Sequence, residues 1–463
     1  MGVYFDIFAL YMIFANSSIQ LFFGYMYYNY INVSTINNYK SYKIECLNNF
    51  IKNLQSLNIY YLKFIQAICS ENNLLSDEEQ EFLIEYTDNI PFTFNDINFK
   101  IITKLKSNSV IFDSDTPINS GTSALVYKGT YKNNNVAIKI LKNNALKNIE
   151  SCLKVFEYLS YYSKYIPYIR LFNLYDTYLF NRKIMLDQVD LFKEKNNIIQ
   201  FKSKFHNHDF VYIPQIYNIS SLSNIYQSEY IIMEYIDGIS AKQLVSIKNK
   251  ELNYYFSEKQ YRLAMVGILL TGGIHCDLHA GNFIVRIFDK ETNKLLNYKE
   301  LLEIFNSNNY NINNYNIVLG LIDFGLVLLV DQHTQNIYYN YLNNLLVKND
   351  YLQSSYELLD NLCENHDGTS CKKSKYYNNA INQFYDLYAL NNNNDLDLTM
   401  VGEMCKILNA NKFKFKETML KIQLSLVTAS SIGKKLLGNN NMNALLKTQI
   451  EGLKSVSKLI SFD

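Results

Sequence analysis

Three short segments carry side chains whose types and spacing could do chemistry on a phosphate. The first is His275-Cys276-Asp277-Leu278-His279-Ala280-Gly281-Asn282-Phe283-Ile284-Val285. An aspartate followed five residues later by an asparagine, at the mouth of an apolar strand, suits phosphoryl transfer. Asp277 orients or deprotonates the incoming nucleophile and Asn282 holds a metal ion. His275 reads as a scaffold that packs and hydrogen-bonds. The second segment is Leu321-Ile322-Asp323-Phe324-Gly325. An aspartate ending an apolar strand before Phe-Gly is a Mg²⁺ ligand in that chemistry, because Mg²⁺ takes oxygen donors and substrate phosphates. The tripeptide alone is common; forty-six residues beyond Asp277 it is specific. The third runs from Pro117 to Lys128 and continues through Val136-Ala137-Ile138-Lys139. Ser120, Gly121, Thr122 and Ser123 form a small-residue turn whose backbone N–H groups can approach phosphates. Lys139 on the next strand reaches the α/β-phosphates as a point charge. Taken alone, this segment more often marks a surface hairpin.

Two glutamates join the candidates. Glu194 sits on a helix and could pair with Lys139, although a helix glutamate is most often simply solvated. Glu234 ends the apolar strand Tyr230-Ile231-Ile232-Met233 and is counted with the nucleotide-binding residues.

The elements that must position these groups follow from periodicity. Residues 33 to 110 read as helical, with Leu47, Ile51, Leu54 and Leu57 at helical spacing. Val110–Phe112, Ala124–Tyr127 and Val136–Leu141 read as strands, and 145 to 210 as helix again. Beyond 257 the pattern is helical, interrupted by strands at Phe283–Ile287 and Ile317–Ile322. Strands first and helices after make an α+β, two-lobed body. The divisions expected are a hydrophobic segment 1–32, a helical extension 33–110, an N-lobe 111–238 and a helical C-lobe 239–463. The asparagine clusters at 133–135, 391–394 and 439–441 read as loop insertions.

With 463 residues and 48% apolar side chains, a folded protein with a sizeable core is expected. A net charge of +1 supplies no field to hold nucleic acid. Seven scattered cysteines without a C-x-x-C pair argue against a disulfide framework or a zinc site, and for an intracellular reducing compartment. From Val3 to Tyr30 the only charge is Asp6. The basic region of a secretory signal is missing. Asn16-Ser17-Ser18 breaks the apolar run, and Asp6 spoils a myristoylation pattern. Two readings stand, a buried or surface-docked helix and a membrane anchor or interfacial helix; the aromatic load favours membrane contact.

In this order and spacing the segments resemble the UbiB family of atypical, protein-kinase-like proteins, also called aarF-domain-containing. The loop at 275–285 is similar to that family's His-x-Asp-Pro-His-x-Gly-Asn-x-x-Val signature, with Leu278 in place of Pro. Gln188-Val189-Asp190 followed by Glu194 and Asn197 resembles its Glu-x-Asp and Glu-x-x-Asn elements, with Gln188 for the first acid. Tyr60 to Gln66 resembles its Lys-x-Gly-Gln helix: Lys63 and Gln66 match, and Ile65 replaces Gly. After Gly325 the chain runs almost directly into a helix, Asp331 to Val347, with no long activation loop and no Ala-Pro-Glu. The resemblance covers roughly residues 55 to 360. It implies a two-lobed kinase fold whose helical N-terminal extension restricts protein substrates, and binding of ATP or ADP with Mg²⁺. It also implies ATPase activity and support of isoprenoid-quinone or other lipid metabolism at a membrane, in a family often mitochondrial or plastid. Lys63 and Gln66 would face the nucleotide cleft, Lys63 near Asp190. An ordinary Ser/Thr protein kinase and a nucleotide-binding pseudokinase scaffold are the alternatives. The missing activation loop opposes the first, and the complete set of Lys139, Glu194, Asp277, Asn282 and Asp323 opposes the second.

Overall fold

The computed structural model describes residues 2–28, 36–62, 90–165, 174–219, 228–307, 310–390 and 398–437. They divide into two compact units. The first comprises 1–134, 138–191 and 219–231; the second comprises 135–137, 192–218 and 232–463.

The first unit opens with two long helices, α1 (Gly2–Met26) and α2 (Ile36–Leu57). They approach closely at Gly24, where an added Cβ would lie within 2.0 Å of the Tyr42 ring. The Phe14 and Phe50 rings meet edge to face at 5.1 Å. Helix α3 (Phe99–Ser107) is capped by the Asn98 side chain, which accepts from the Ile101 N–H. Strands β1 (Ile111–Phe112), β2 (Asn119–Ser120), β3 (Ala124–Tyr131) and β4 (Asn134–Leu141) follow. β3 alternates buried and less buried positions, the period-two pattern of a half-covered sheet, whereas β4 is buried along most of its length from Val136 to Leu141. Lys132 and Asn133 join them with φ of 49° and 62°, the conformation a two-residue hairpin demands. The asparagines at 133–135 are therefore not a loop insertion: Asn133 makes the turn, and Asn134 and Asn135 begin β4. The clusters at 391–394 and 439–441 lie outside the described residues. Helices α4 (Ala145–Ser163) and α5 (Leu174–Asp187) complete this unit.

Then come α6 (Leu191–Lys204), β5 (Val211–Tyr212), β6 (Ile216–Tyr217) and β7 (Tyr230–Glu234). One sheet has the order β1-β3-β4-β7-β6, with β2 pairing β3. Next come β8 (Ile239–Ser240), α7 (Ala241–Ser246) and α8 (Lys250–Val266). The strands β9 (Gly273–His275), β10 (Phe283–Asp289), β11 (Tyr315–Leu321) and β12 (Val327–Leu329) surround α9 (Tyr298–Asn306) in sequence. They form a sheet of order β5-β11-β10-β8 and a separate β12-β9 ladder. Helix α10 (Gln332–Leu342) continues as a wider turn to Val347, matching the helix expected there. The remainder is α11 (Tyr351–Glu357), β13 (Cys363–Asn365), α12 (Tyr377–Leu390), α13 (Leu398–Ala410), β14 (Phe413–Phe415) and α14 (Glu417–Leu437). Helix α8 packs against α14, and Phe256, Tyr261, Met265 and Ile422 are among the fully buried side chains of this pair.

Candidate functional site

Strand β9 delivers the loop that carries Asp277. Gly272, at φ +69°, turns the chain into β9; a Cβ there would sit 2.5 Å from the Val330 carbonyl oxygen, so glycine is required. β9 pairs antiparallel with β12, His275 opposite Val327, and the Cys276 N–H donates to the Leu326 C=O at 2.9 Å. β10 pairs antiparallel with β11, Phe283 opposite Leu321, and the Ile322 N–H donates to the Asn282 C=O at 3.2 Å. These two ladders bring the 277–282 loop and the 323–325 turn to the same strand ends.

Hydrogen bonds then join loop to turn. The His275 Nδ1 accepts from the Asp277 N–H at 3.3 Å, and its Nε2 lies 2.6 Å from the Asp323 carbonyl oxygen. A carbonyl can only accept, so Nε2 carries the proton and the ring is the neutral Nε2–H tautomer. Burial lowers its pKa below the ordinary 6.5, which favours the same form. Phe201 and Phe324 meet this ring edge to face. His275 is thus a strut between the backbones of Asp277 and Asp323, the scaffold role its position suggested. His279 accepts from the Gly281 N–H at Nδ1 and places Nε2 3.5 Å from the Asp277 carboxylate. The buried Asn282 donates its Nδ2–H to the Asp277 C=O at 2.8 Å, which turns its amide oxygen the other way. Asp323 Oδ1 accepts from the Gly325 N–H at 2.9 Å.

Helix α6 holds the turn from the other side. Glu194 and Asn197 lie three apart and so share a face. The Asn197 amide donates to the Phe324 C=O at 2.9 Å, and the buried Glu194 carboxylate accepts from the Phe324 N–H at 3.3 Å. Both backbone groups of the residue after Asp323 are fixed in this way. Leu278, where the resembled signature has proline, is fully buried. Its N–H donates to Thr428 Oγ1 on α14 at 3.1 Å, and its C=O accepts from the Gln260 amide on α8 at 2.6 Å. Thr428 and Gln260 were not legible as site residues, because they lie far away in sequence and carry no motif.

The remaining candidates are distributed as follows. Ser120, Thr122 and Ser123 are buried in the first unit. Gly121 donates its N–H to the Ala124 C=O at 2.9 Å, and Ser123 Oγ accepts from the buried Tyr60 hydroxyl at 3.2 Å. Burial pushes the Tyr60 phenol well above its usual range. Lys139 lies on β4, half-buried, in the first unit. Glu234 lies in the second unit, where Tyr212 and the Gln215 N–H donate to its two carboxylate oxygens. Lys63 and Gln66 lie outside the described residues.

An α+β body with an Asp/Asn loop and an Asp-Phe-Gly turn at adjacent strand ends belongs to the kinase-like class. Residues 96–355, more than half of the chain, match the family described as ABC1 atypical kinase-like domain, and the chain belongs to that family. Among curated proteins it is similar to the "Probable protein kinase UbiB" of Aeromonas salmonicida (strain A449), 24% identical over 242 residues, covering 50% of this chain and 43% of that one. It is also similar to the protein of that name from Shewanella baltica (strain OS185), 26% identical over 246 residues with the same coverages. The chain thus spans under half the length of the curated relatives it matches. Among solved structures, the complex of Rv3197 with erythromycin from Mycobacterium tuberculosis aligns with a TM-score of 0.44 at 15% identity, covering 82% of this chain and 89% of that one.

Proposed function

We propose that this protein binds Mg-ATP and acts as a UbiB-type atypical kinase or ATPase serving isoprenoid-quinone or other lipid metabolism at a membrane. The observation that carries this reading is the hydrogen-bonded frame around the two aspartates, with His275 tied to both backbones and Glu194 and Asn197 gripping Phe324. Pre-set polar groups of this kind lower the barrier of phosphoryl transfer, which depends on positioning and charge stabilisation rather than covalent chemistry.

The donor set fits Mg²⁺. Asp323 offers a carboxylate and Asn282 an amide oxygen, both hard ligands. Among the described residues no group of three His, Cys, Asp or Glu could hold a metal alone. The cation would therefore complete its shell with phosphate oxygens and water, as Mg²⁺ commonly does. Bound Mg-ATP would supply the phosphoryl group and neutralise its charge. Asp277 would orient the attacking hydroxyl or water, with His279 beside its carboxylate. The turn at Ser120–Ser123 and Lys139 would meet the phosphates; among the described residues the buried Ser120 hydroxyl has no partner, and it can donate to one. Glu194 would act by steadying the Asp323 turn. Glu234 would contribute its place on β7 more than its carboxylate, and the reading gives Lys63 and Gln66 to the nucleotide as well.

The ordinary protein-kinase reading is weaker. From Gly325 the chain enters β12 at Val327 and α10 at Gln332, which leaves no length for an activation segment. Membrane action is supported by α1, whose Val3–Met26 stretch has a mean hydropathy of 1.5 and is long enough to cross a bilayer. The test is ATP turnover by the purified protein, with and without liposomes and quinone-precursor-like phenols. Slow Mg²⁺-dependent hydrolysis that Asp277→Asn abolishes is the expected result; turnover unchanged in that variant would overturn the assignment.

A further inference from the structure

The residues α1 turns outward repeat with helical spacing. Phe5, Phe8, Met12, Ile19 and Phe23 form one stripe, and each is more than half exposed, Phe5 at 66% and Phe23 at 65%. No charge lies on that stripe, and the one charge of α1 points the other way: Asp6 accepts from the Tyr61 hydroxyl at 2.9 Å. The opposite face is fastened along the whole helix. Asp6 holds the first turns, Phe14 meets Phe50 midway, and Tyr42 donates to the Gln20 C=O near the end. Helix α2, to which α1 is fastened, exposes Lys43, Glu45 and Lys52.

The apolar surface continues onto α4. Tyr4 of α1 packs edge to face on Tyr158 at 6.2 Å, and Tyr158 lies 4.6 Å from Tyr162. Tyr162 touches Tyr161 at 5.3 Å, and the Lys164 ammonium sits 3.7 Å above the Tyr161 ring. All these tyrosines are exposed. A phenyl stripe beside a rim of tyrosines with a lysine over them is the composition of a bilayer interface, where apolar rings enter the acyl boundary and hydroxyls and cations stay with the headgroups.

We infer that α1 does not cross the membrane but lies flat in one leaflet, with the tyrosine face of α4 docked beside it. This inference rests on the membrane half of the proposed function. A crossing α1 would carry the charged face of α2 into hydrocarbon with it, or would break the Asp6, Phe14 and Gln20 contacts. It would also put Asn16 and Ser18, both exposed, near the bilayer centre; in a flat helix both stay at the depth of the headgroup boundary. Exposed apolar area of this size on a single helix marks an interaction surface, and the tyrosine and lysine rim selects lipid over a protein partner.

The chain has no tryptophan, so a single introduced one reports its own depth. Phe5→Trp, Tyr11→Trp, Phe23→Trp and Tyr162→Trp would each be made in the full chain. Each variant would be mixed with phosphatidylcholine/phosphatidylglycerol vesicles brominated at shallow or deep acyl positions. All four are expected to co-float with the vesicles and to be quenched more by shallow than by deep bromines. A second variant, Tyr161→Ser with Tyr162→Ser, alters exposed positions only and is expected to lower vesicle partitioning about tenfold. Deep quenching of Tyr11→Trp with shallow quenching at Phe5→Trp and Phe23→Trp means a crossing helix and overturns the inference. Quenching on α1 without quenching or loss at α4 overturns the docked face. Absence of flotation, including by a chain that self-associates instead, removes the membrane reading too, whereas ATP turnover in solution judges the catalytic reading separately.

Discussion

His275 contributes no charge: its ring is neutral, buried and committed at both nitrogens. That has a consequence for stability. A histidine whose folded pKa is depressed binds its proton more weakly folded than unfolded. The folded state is therefore unaffected above pH 6.5 and loses stability as pH falls through 6.5 toward the folded value. Denaturation curves between pH 5 and 8 should show this loss with a slope of up to about 1.4 kcal/mol per pH unit, and a smaller slope in His275→Gln, where only His208, also lowered by burial, retains its share. Equal slopes in the two proteins would mean that His275 titrates freely. Asp323 carries the companion prediction. Asp323→Asn should remove the thermal stabilisation produced by Mg-ATP, since a neutral amide offers the cation a much weaker ligand. A retained shift would show that the metal is held elsewhere.

At the scale of elements, the informative contact is α14 against the loop that carries Asp277. With leucine at 278, the loop has an N–H that a proline would lack, and Thr428 accepts it. Thr428→Val should cost roughly 1–3 kcal/mol by stranding that amide. Adding Leu278→Pro should recover most of it, because the stranded donor is gone. Urea unfolding of the two single variants and the double variant closes the cycle, and additivity would show that the two residues do not interact. A second element-scale contact is the short helical turn at 59–62 against the Ser120–Ser123 turn. Tyr60→Phe should cost about 0.5–1.5 kcal/mol and free the Ser123 hydroxyl. Thermal melts and ATP titration would read the two effects separately.

For the whole molecule, the cysteines give a probe of folding. Cys46, Cys152, Cys276, Cys363 and Cys371 are buried, and Cys405 is partly accessible. Burial pushes the Cys276 thiol up to about 12 and Cys371 up to about 11, far from the thiolate that alkylating reagents attack. In the native protein at pH 8, Cys405 should therefore label first among these six. The buried five should follow at the rate of opening, as mass spectrometry of labelled peptides would show. Rapid native labelling of Cys276 would mean that the loop beside Asp277 opens readily.

What could be read along the chain was whatever physics writes locally. An aspartate and an asparagine five apart before an apolar run, and Asp-Phe-Gly behind another, stand out by spacing, and the structure brings them to adjacent strand ends. Strands β3, β4, β7, β10 and β11 announce themselves by β-branched and apolar runs. The two-residue strands β2, β5, β6 and β8 carry too little pattern to be read, and Asn134 and Asn135 looked like loop because asparagine disfavours strands until a hairpin partner holds it. Tertiary structure alone decided which groups hold the site. The tautomer of His275 depends on the Asp323 carbonyl, 48 residues away, and the grip on Phe324 depends on Glu194 and Asn197, some 130 residues away. The tolerance for Leu278 depends on Thr428, 150 residues on. Hydrogen bonds between distant segments leave no period and no spacing in a sequence. They exist only once strand register and helix packing have brought donor and acceptor to within about 3 Å.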